Sequence, residues 1–423
     1  MREMKDSRIS WIGDLPSAWA TMPIKYNFTL VAGATPDSHN PDLWDGDVNW
    51  ITPADFKTED VYVKEGSRKL SEIGFKSCST SMIPAGSIIF SKRAPIGTVA
   101  INTTELCTNQ GCLGLVKKSR SLDNKYYYYV LSIYPEVFNL FGSGTTFKEI
   151  SATAFGEVSL PFPPINEQHR ISTYLDAKCA EIDALTADIQ SQIDTLEQYK
   201  RSVITEAVTK GLNKNVEMKE SGIEWAEQIP AHWRTMHNKY LMHKVKEICP
   251  VYNGEDILSL TMRGIIVRDF ELGGKMPASF DGYQIIHPGN LLMCLFDYDV
   301  TPRCIGYINN EGLTSPAYSQ FVMEPIADAH YYYYYYLMLD FTKELLHLAK
   351  NLRHSFTEEQ LGEINTVVPP VNEQREIAGY LDKKVANIDE AISLKNDQLS
   401  TLDDYKKSII YEYVTGKKEV PAV

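Results

Sequence analysis

The chain has 423 residues, of which 43% are apolar, with a mean hydropathy of −0.26; that length suits two or three packed domains rather than one. No uninterrupted apolar run reaches the roughly 18 residues of a membrane span, and the opening "MREMKDSRISWIG" lacks the apolar stretch of a secretion signal, so a cytoplasmic protein with no membrane role is expected. The net charge of −13 taken alone argues against nucleic acid, but residues 1–160 carry 16 basic and 17 acidic residues, hence −1, while 216–368 carry 12 and 20, hence −8. Net charge speaks to solubility and non-specific binding, and a local basic cleft is compatible with it.

The first recognisable element is "SRISWIGDLPSAW" at 7–19. Mixed sequence follows to about residue 160. Its short runs "SIIFSK", "TVAIN" and "LGLVKK" read as strands and "KYYYYVLSIYPEVFNLF" as a helix packed on the sheet they form. Two places in this stretch suit a phosphate backbone. Lys92 and Arg93 fall in a turn, where the plain alternative is solvation. "GSGTTFK" at 142–148 offers backbone N–H groups, the Thr145 hydroxyl and the Lys148 ammonium.

At 163 the chain changes character. "PPINEQHRISTYLD" opens a long helix: the proline pair keeps the entry extended, Asn166 stands where an N-cap belongs, and an acid follows in the first turn. Leu175, Ile182, Ile189, Leu196 and Val203 recur every seven residues, with Cys179, Leu185, Ile193, Tyr199 and Ala207 between them, as in a coiled-coil seam. Gly211 marks the end. The helix would be roughly 64 Å long at about 1.5 Å per residue.

The same order then returns. "SGIEWAEQIPAHW" at 221–233 answers the opening segment. A second mixed stretch carries "NLLMCLF", "CIGYI", "SQFVM" and the tyrosine-rich "HYYYYYYLMLDFTKELLHL". Six tyrosines in a row cover every face of a helix, so some hydroxyls are expected to reach water, a partner or phosphate. Tyr126–Tyr129 align with Tyr332–Tyr335 at an offset of 206 residues. Arg263, Arg268, Arg303, Arg353 and His354 are the cations here best suited to an anionic partner such as a nucleic acid, since arginine can pair bidentately with guanine. "PPVNEQREIAGYLD" at 369 opens a second long helix that carries Leu381, Val385, Ile388, Ile392, Leu399, Leu402, Tyr405 and Ile409, with Lys395 interrupting the seam and Gly416 ending it.

Aligned without gaps, 163–209 and 369–415 are identical at 23 of 47 positions, which marks an internal duplication. The expected fold is a mixed α/β (α+β) chain with an internal pseudo-two-fold repeat. Two globular heads, 1–160 and 216–368, are separated by two helical spacers, 161–215 and 369–423, whose long helices pair antiparallel. Polar residues common to both helices, Asp176 and Asp382, Lys200 and Lys406, are expected on outer faces, free to bind two copies of one partner.

Taken over essentially its whole length, the chain resembles the specificity subunits of type I restriction–modification systems. The likeness rests on the "SxxxWxGxxPxxW"-like segments, the "PPxNEQ" helix entries and the "YKxSxIxExVT" helix ends at 199–209 and 405–415. Inside the heads it rests on "FSKRAPIGTVAI" (90–101), "TNQGC" (108–112) and "LRHSFTEEQL" (352–361). The resemblance implies a subunit without catalytic activity or cofactor. Each head would be a target recognition domain reading one half of a bipartite site in double-stranded DNA. The helices would set the spacing and dock two adenine methyltransferase subunits, and motor-nuclease restriction subunits would join for cleavage. The second head departs from the pattern, with "LFDYDVTPRCIGYI" where the first has "FSKRAPIGTVAI".

The chemistry that would suggest an enzyme is missing from the sequence. It has no nucleotide-binding G-x-x-x-x-G-K-[ST], no His-Glu-x-x-His and no Asn/Asp-Pro-Pro-Tyr/Phe; "PFPPI" and "VVPPV" lack the polar residue. Its seven cysteines, 78, 107, 112, 179, 249, 294 and 304, are scattered without a Cys-x-x-Cys, so reduced thiols and no metal site are expected. Two rival readings are a two-headed adaptor that binds proteins and a fused nuclease.

Overall fold

A computed structural model of the protein describes residues 2–58, 60–93, 95–133, 135–140, 148–271, 277, 279–349 and 354–421. The chain forms two compact units. One comprises Met1–Ile189 with Asp397–Val423, the other Gln190–Asn396. Both unit boundaries fall inside a long helix, so each unit owns one head, the near half of one helix and the far half of the other.

In the first unit the strands β1 (Phe28–Ala32), β2 (Tyr62–Val63), β3 (Ile88–Ser91), β4 (Val99–Asn102) and β5 (Cys112–Lys117) form a sheet in the order β1-β5-β3-β4-β2. Leu113 stands opposite both Ala32 and Phe90. The central strands β3 and β4 are buried at every residue, which is why they read as unbroken apolar runs rather than as alternation. Helix α1 (Asn124–Ser132) starts at an Asp123 cap and carries the four buried tyrosines 126–129. Helix α2 (Ile165–Lys210) follows.

The second unit repeats this plan. Strands β6 (Met242–Val245), β7 (Leu258–Thr261), β8 (Gly264–Val267), β9 (Leu291–Met293), β10 (Ile305–Tyr307) and β11 (Ser319–Met323) include a four-stranded sheet ordered β6-β11-β9-β10. That is the order of β1-β5-β3-β4, so two heads of weak sequence likeness share one topology. Helix α3 (Ala329–Thr342) corresponds to α1, and α4 (Val371–Val414) to α2. The β7–β8 hairpin lies on β10, where a Cβ on Gly306 would come within 2.8 Å of both Leu260 and Ile265.

The long helices begin one residue before the expected caps. Gln168 N–H donates to the Pro164 carbonyl and Gln374 N–H to that of Pro370, so the proline carbonyls open the helices and Asn166 and Asn372 lie within the first turn. They end as expected, at Gly211 (φ 74°) and Gly416 (φ 71°) in the left-handed conformation. Close approach demands glycine here as well. A Cβ on Gly416 would sit 2.5 Å from Pro16 and 2.9 Å from Trp19, and one on Gly211 would sit 3.1 Å from Trp233. The Trp-Pro-Trp segments are therefore plugs: Trp19 and Trp233, each 1% exposed, seal the helix ends.

Within each unit the two helix halves run antiparallel. In the first, the Tyr174 and Tyr413 rings lie 4.6 Å apart and Asp183 meets Lys406 at 2.5 Å. In the second, Lys395 donates to Gln192 and Lys200 meets Asp389 at 2.8 Å. The two lysine–aspartate bridges are copies of each other, with the partners exchanged. Lys395 thus reaches a polar partner instead of breaking the seam. Leu185, Tyr199 and Tyr405, expected in the seam, are instead 53%, 46% and 53% exposed. A straight helix drifts about 20° per heptad from a strict seven-residue repeat, so a stripe counted from Leu175 walks off the contact face. Near their ends the helices also pack on the heads, through Ile204 and Val208 in the second unit and Ile410 and Val414 in the first.

The tyrosine helices join heads to spacers. Tyr126 OH donates to the Val414 carbonyl (2.7 Å), Tyr127 OH to that of Pro161 (3.4 Å) and Tyr129 OH to Asp176 (2.8 Å). Tyr331, Tyr332 and Tyr334 make the same bonds to Val208 (2.8 Å), Val367 (3.1 Å) and Asp382 (2.9 Å). These acceptors are related by 206 residues but the donors by 205, so the alignment of Tyr126 with Tyr332 is corrected by one position: Tyr126 corresponds to Tyr331. These hydroxyls turn inward rather than toward water or phosphate, and burial pushes the Tyr126 and Tyr331 phenols well above their ordinary range. Below them Gln168 accepts from Asp123 N–H, and Gln374 likewise from Asp328 N–H, at the caps of α1 and α3.

Candidate nucleic-acid interface

In both heads the hairpin leaving the central strand meets the segment that leads back toward the spacer. In the first, Ser91 N–H donates to the Thr98 carbonyl and closes a short loop. Lys92 anchors that loop on both sides: its N–H donates to the Gly111 carbonyl and its carbonyl accepts from Ile150 N–H. The "TNQG" turn, the "KRAPIG" turn and the stretch after residue 147 are thereby brought together. Exposed Gln110 lies here, its side chain bonded to Thr35.

Lys92 and Arg93 both bind one carboxylate, Glu149, at 2.7 and 2.8 Å. The lysine is 14% and the arginine 43% exposed. Partial burial works to raise the Glu149 pKa, and its bonds to the two cations outweigh this and hold it below the ordinary range. The cluster carries one net positive charge, presented mainly by Arg93, with exposed Lys148 beside it. Thr145 lies outside the described residues.

The second head builds the corresponding loop longer. Cys294 N–H donates to the Cys304 carbonyl, so nine residues, 295–303, span the gap that six, 92–97, span in the first head. Tyr298 N–H donates to the His354 carbonyl, and the Tyr298 ring packs on Phe356 at 4.8 Å. His354 sits at 2.7 Å from Asp299, which that bond holds below the ordinary carboxylate range. Arg303 is turned inward: 13% exposed, it faces Asp340 at 3.8 Å, and Asp340 also takes Lys343 at 2.6 Å and Cys304 N–H at 2.9 Å. The expectation that Arg303 faces DNA is therefore corrected, because its charge is spent on a 4% exposed carboxylate.

Arg263 is exposed at the tip of the β7–β8 hairpin, where its N–H donates to Thr261 Oγ1 and fixes the turn. Arg268, half-buried, lies 5.9 Å from the Phe270 ring. Arg353 lies outside the described residues.

The four polar residues expected on free outer faces are engaged within their own units. Asp176 takes Tyr129 and Lys125 (2.6 Å), Asp382 takes Tyr334 and His330 (3.1 Å), and Lys200 and Lys406 form the exchanged bridges. The expected freedom is corrected, because identity between the copies here reflects a shared internal joint. Sequence reasoning missed Glu149 and Asp340. No local pattern marks them, since each meets its cations from 37 to 57 residues away, apart from the i,i+3 contact of Asp340 with Lys343.

Among the described residues no group of three or more His, Cys, Asp or Glu is placed to hold a metal ion, and no helix is long and apolar enough to cross a membrane.

Comparison with known proteins gives these loops a context. Residues 16–195 match the family described as the type I restriction modification DNA specificity domain. The chain is 34% identical over 190 residues to the type I restriction enzyme MjaIX specificity subunit of Methanocaldococcus jannaschii, covering 44% of this chain and 43% of that one. To the MjaVIII specificity subunit of the same organism it is 23% identical over 323 residues, 72% and 73% of the two chains. The chain matches less than half the length of the MjaIX relative. A chain solved in work on complex assembly and conformational transition of the type I R-M system aligns over 96% of this chain and 99% of its own length, with a TM-score of 0.72 at 15% identity, a likeness of fold. The first head and the opening of its spacer helix are thus similar in sequence to the type I restriction modification DNA specificity domain, and the second head repeats the first head's strand order and joints.

Proposed function

We propose that the protein is the non-catalytic DNA-specificity subunit of a type I restriction–modification complex. The observation that carries this reading is the duplicated joint: two heads of one topology, each fixed to a spacer helix by the same hydrogen bonds, with loops of different length and charge at their tips. A constant mount with divergent tips suits a target made of two different half-sites at a fixed separation. In this reading 1–160 and 216–368 are the target recognition domains, and 161–215 and 369–423 form the spacer that sets the gap. Two adenine methyltransferase subunits dock on the helices, and motor-nuclease subunits join them on double-stranded DNA. The contacting groups are drawn from Arg93, Lys148 and the segment containing Thr145 in the first head. In the second they come from Arg263, Arg268, His354 and the segment containing Arg353. Lys92 is a positioning residue behind Arg93. Such cations supply affinity through phosphates, and base-edge contacts and DNA deformability supply the sequence.

The test is a genome-wide map of N6-methyladenine in the source strain with and without the gene. Loss of methylation at one split motif, two short half-sites around a fixed gap, is the expected result. Binding of the assembled complex to no duplex, even at low salt, would favour the protein-binding adaptor instead. Cleavage of DNA by the purified chain with magnesium alone would make it a nuclease. Removing one heptad from each long helix is expected to shift or abolish the recognised gap, and an unchanged gap would sink the spacer role.

A further inference from the structure

The two heads close their tip loops with different chemistry. In the first, Ser91 N–H donates to the Thr98 carbonyl at 2.8 Å and Ser91 Oγ donates to the Arg93 carbonyl at 2.9 Å. In the second, Cys294 N–H donates to the Cys304 carbonyl at 2.9 Å and Cys294 Sγ donates to the Phe296 carbonyl at 3.2 Å. The backbone plan is the same, so a hydroxyl makes in one head the bond that a thiol makes in the other. Sulfur at both closing positions adds what hydroxyls lack, a pair that can be oxidised.

The geometry suits a covalent bond between them. The register that sets Met293 opposite Ile305 continues to Cys294 opposite Cys304. Facing residues of an antiparallel ladder point to the same side, and a pair joined by a backbone bond stands about 5.5 Å apart at Cα, inside the roughly 4.4–6.8 Å that a disulfide spans. The thiols are in hydrogen-bonding reach of each other. That contact is the first cause that lowers the Cys294 pKa to about 7, against the effect of burial, while the same contact and burial raise that of Cys304. Lys343 Nζ, bound to Asp340, lies 3.4 Å from Cys304 Sγ, and Arg303 faces the same carboxylate at 3.8 Å. The cysteines are 1% and 4% exposed and line a cavity of about 20 Å³ with Tyr298, Asp340, Phe356 and Leu361. That is room for one molecule about the size of water, a condition that hydrogen peroxide approaches and a bulky organic disulfide does not.

We propose that Cys294 and Cys304 form a reversible disulfide, made by hydrogen peroxide, that switches the tip loop 295–303 of the second head. The Cys294 thiolate attacks one peroxide oxygen and the O–O bond breaks. The departing hydroxide takes up a proton and leaves as water, with a sulfenic acid on Cys294. The Cys304 sulfur then attacks that sulfur, its proton leaves with the hydroxyl as a second water, and the S–S bond forms. Two thiols and one peroxide thus give one disulfide and two waters. Oxidation takes the thiol donor from the Phe296 carbonyl and draws the two ends of the loop together at the sulfurs. Midway along the loop, Tyr298 N–H is held by the His354 carbonyl, so a change at the foot reaches one of the proposed DNA-contacting groups. The disulfide stands on geometry alone, and its effect on DNA rests on the specificity-subunit reading.

The experiment exposes the full chain to hydrogen peroxide, caps the remaining thiols with iodoacetamide and maps tryptic peptides by mass spectrometry. Cleavage after Arg303 puts the two cysteines in different peptides. Those peptides are expected to appear joined, lighter by two hydrogens than their sum, and to separate again on reduction. Binding of the assembled complex to a duplex carrying the split motif is then compared before and after peroxide. The unaltered chain is expected to lose about tenfold in affinity, the weight of one buried hydrogen bond. Cys294→Ser with Cys304→Thr, which copies the pair of the first head, is expected to lose none. Separately capped peptides, under peroxide that oxidises the half-buried Cys78, overturn the disulfide. A disulfide that leaves affinity unchanged, or an equal loss in the double variant, overturns the switch. A reduced, unaltered complex that binds no duplex overturns the specificity reading, while joined peptides still establish the disulfide.

Discussion

Gln374 is the place to break a joint without touching a loop or a surface. It is fully buried, its Oε1 accepts from Asp328 N–H at 2.7 Å, and its Nε2 donates to the Ile326 and Pro369 carbonyls at 3.0 and 2.8 Å. Asp328 in turn caps α3 by accepting from His330 and Tyr331 N–H. Gln374→Ala removes three hydrogen bonds, each with a net contribution of about 1 kcal/mol, and strands three backbone groups whose desolvation costs about 1–3 kcal/mol each if left dry. Water entering the vacated space offsets part of that, so the expected loss is about 3–4 kcal/mol in the second unit. Amide exchange read by mass spectrometry assigns it: peptides covering α3 should lose protection by roughly 10² to 10³-fold, while those covering α1 keep theirs. Gln168→Ala should give the opposite pattern. A change under about fivefold in α3, or an equal change in both units, would refute the account of Gln374 as a local joint.

The exchanged bridges predict a second result. Lys200→Asp alone places like charge against Asp389 and should cost about 1 kcal/mol, part of which Asp389→Lys should return, as a double-mutant cycle in urea would measure. For pH, His287 is held above its ordinary range first by its bond to Glu247 and further by Glu311, against the opposing effect of burial. A raised folded value contributes stability that is complete below the ordinary histidine range and is lost as pH rises through the raised value. Because the side chain is 39% exposed, the effect should be about 0.5 kcal/mol or less. Wild type should lose that much more than His287→Gln between about pH 6 and 8 in urea melts, and parallel pH profiles would exclude it. Finally, Arg263→Ala should weaken DNA binding by the assembled complex and lower the salt slope by about 1 with melting unchanged, whereas Arg303→Ala should cost about 1–3 kcal/mol of stability. Unchanged melting of the Arg303 variant would reopen its role at DNA.

The repeat, the strand runs, the two long helices and their glycine ends could all be read directly, because each is a local pattern with a fixed period. The failures share a cause in the third dimension. Placing Tyr126 on Tyr332 follows the 206-residue offset of the helices, but the stretch between the tyrosines and the spacer helix is one residue longer in the second head, and only the hydroxyl acceptors reveal the slip. Tyr199 and Tyr405 looked like seam residues because a heptad is counted on a sequence, whereas a helix turns at its own rate. Arg303 looked like a DNA contact because Asp340 is 36 residues from Cys304 and invisible beside it. Lys148 and Arg263 remain exposed in the structure. Thr145 and Arg353 fall outside the described residues.

The discontinuity of the first unit has a consequence for synthesis. The second unit is one unbroken stretch of chain, and when Tyr331 is made its acceptor, Val208, already exists. Tyr126 must wait for Val414, 288 residues later, which at about 5–20 residues per second is roughly 15 to 60 seconds of translation. Throughout that interval the first head lacks the helix half that covers its tyrosines. The stretch 397–423 therefore acts as a latch: the half of the protein translated first is the last to close, and a chain truncated between 397 and 413 carries a complete second unit attached to an open first one.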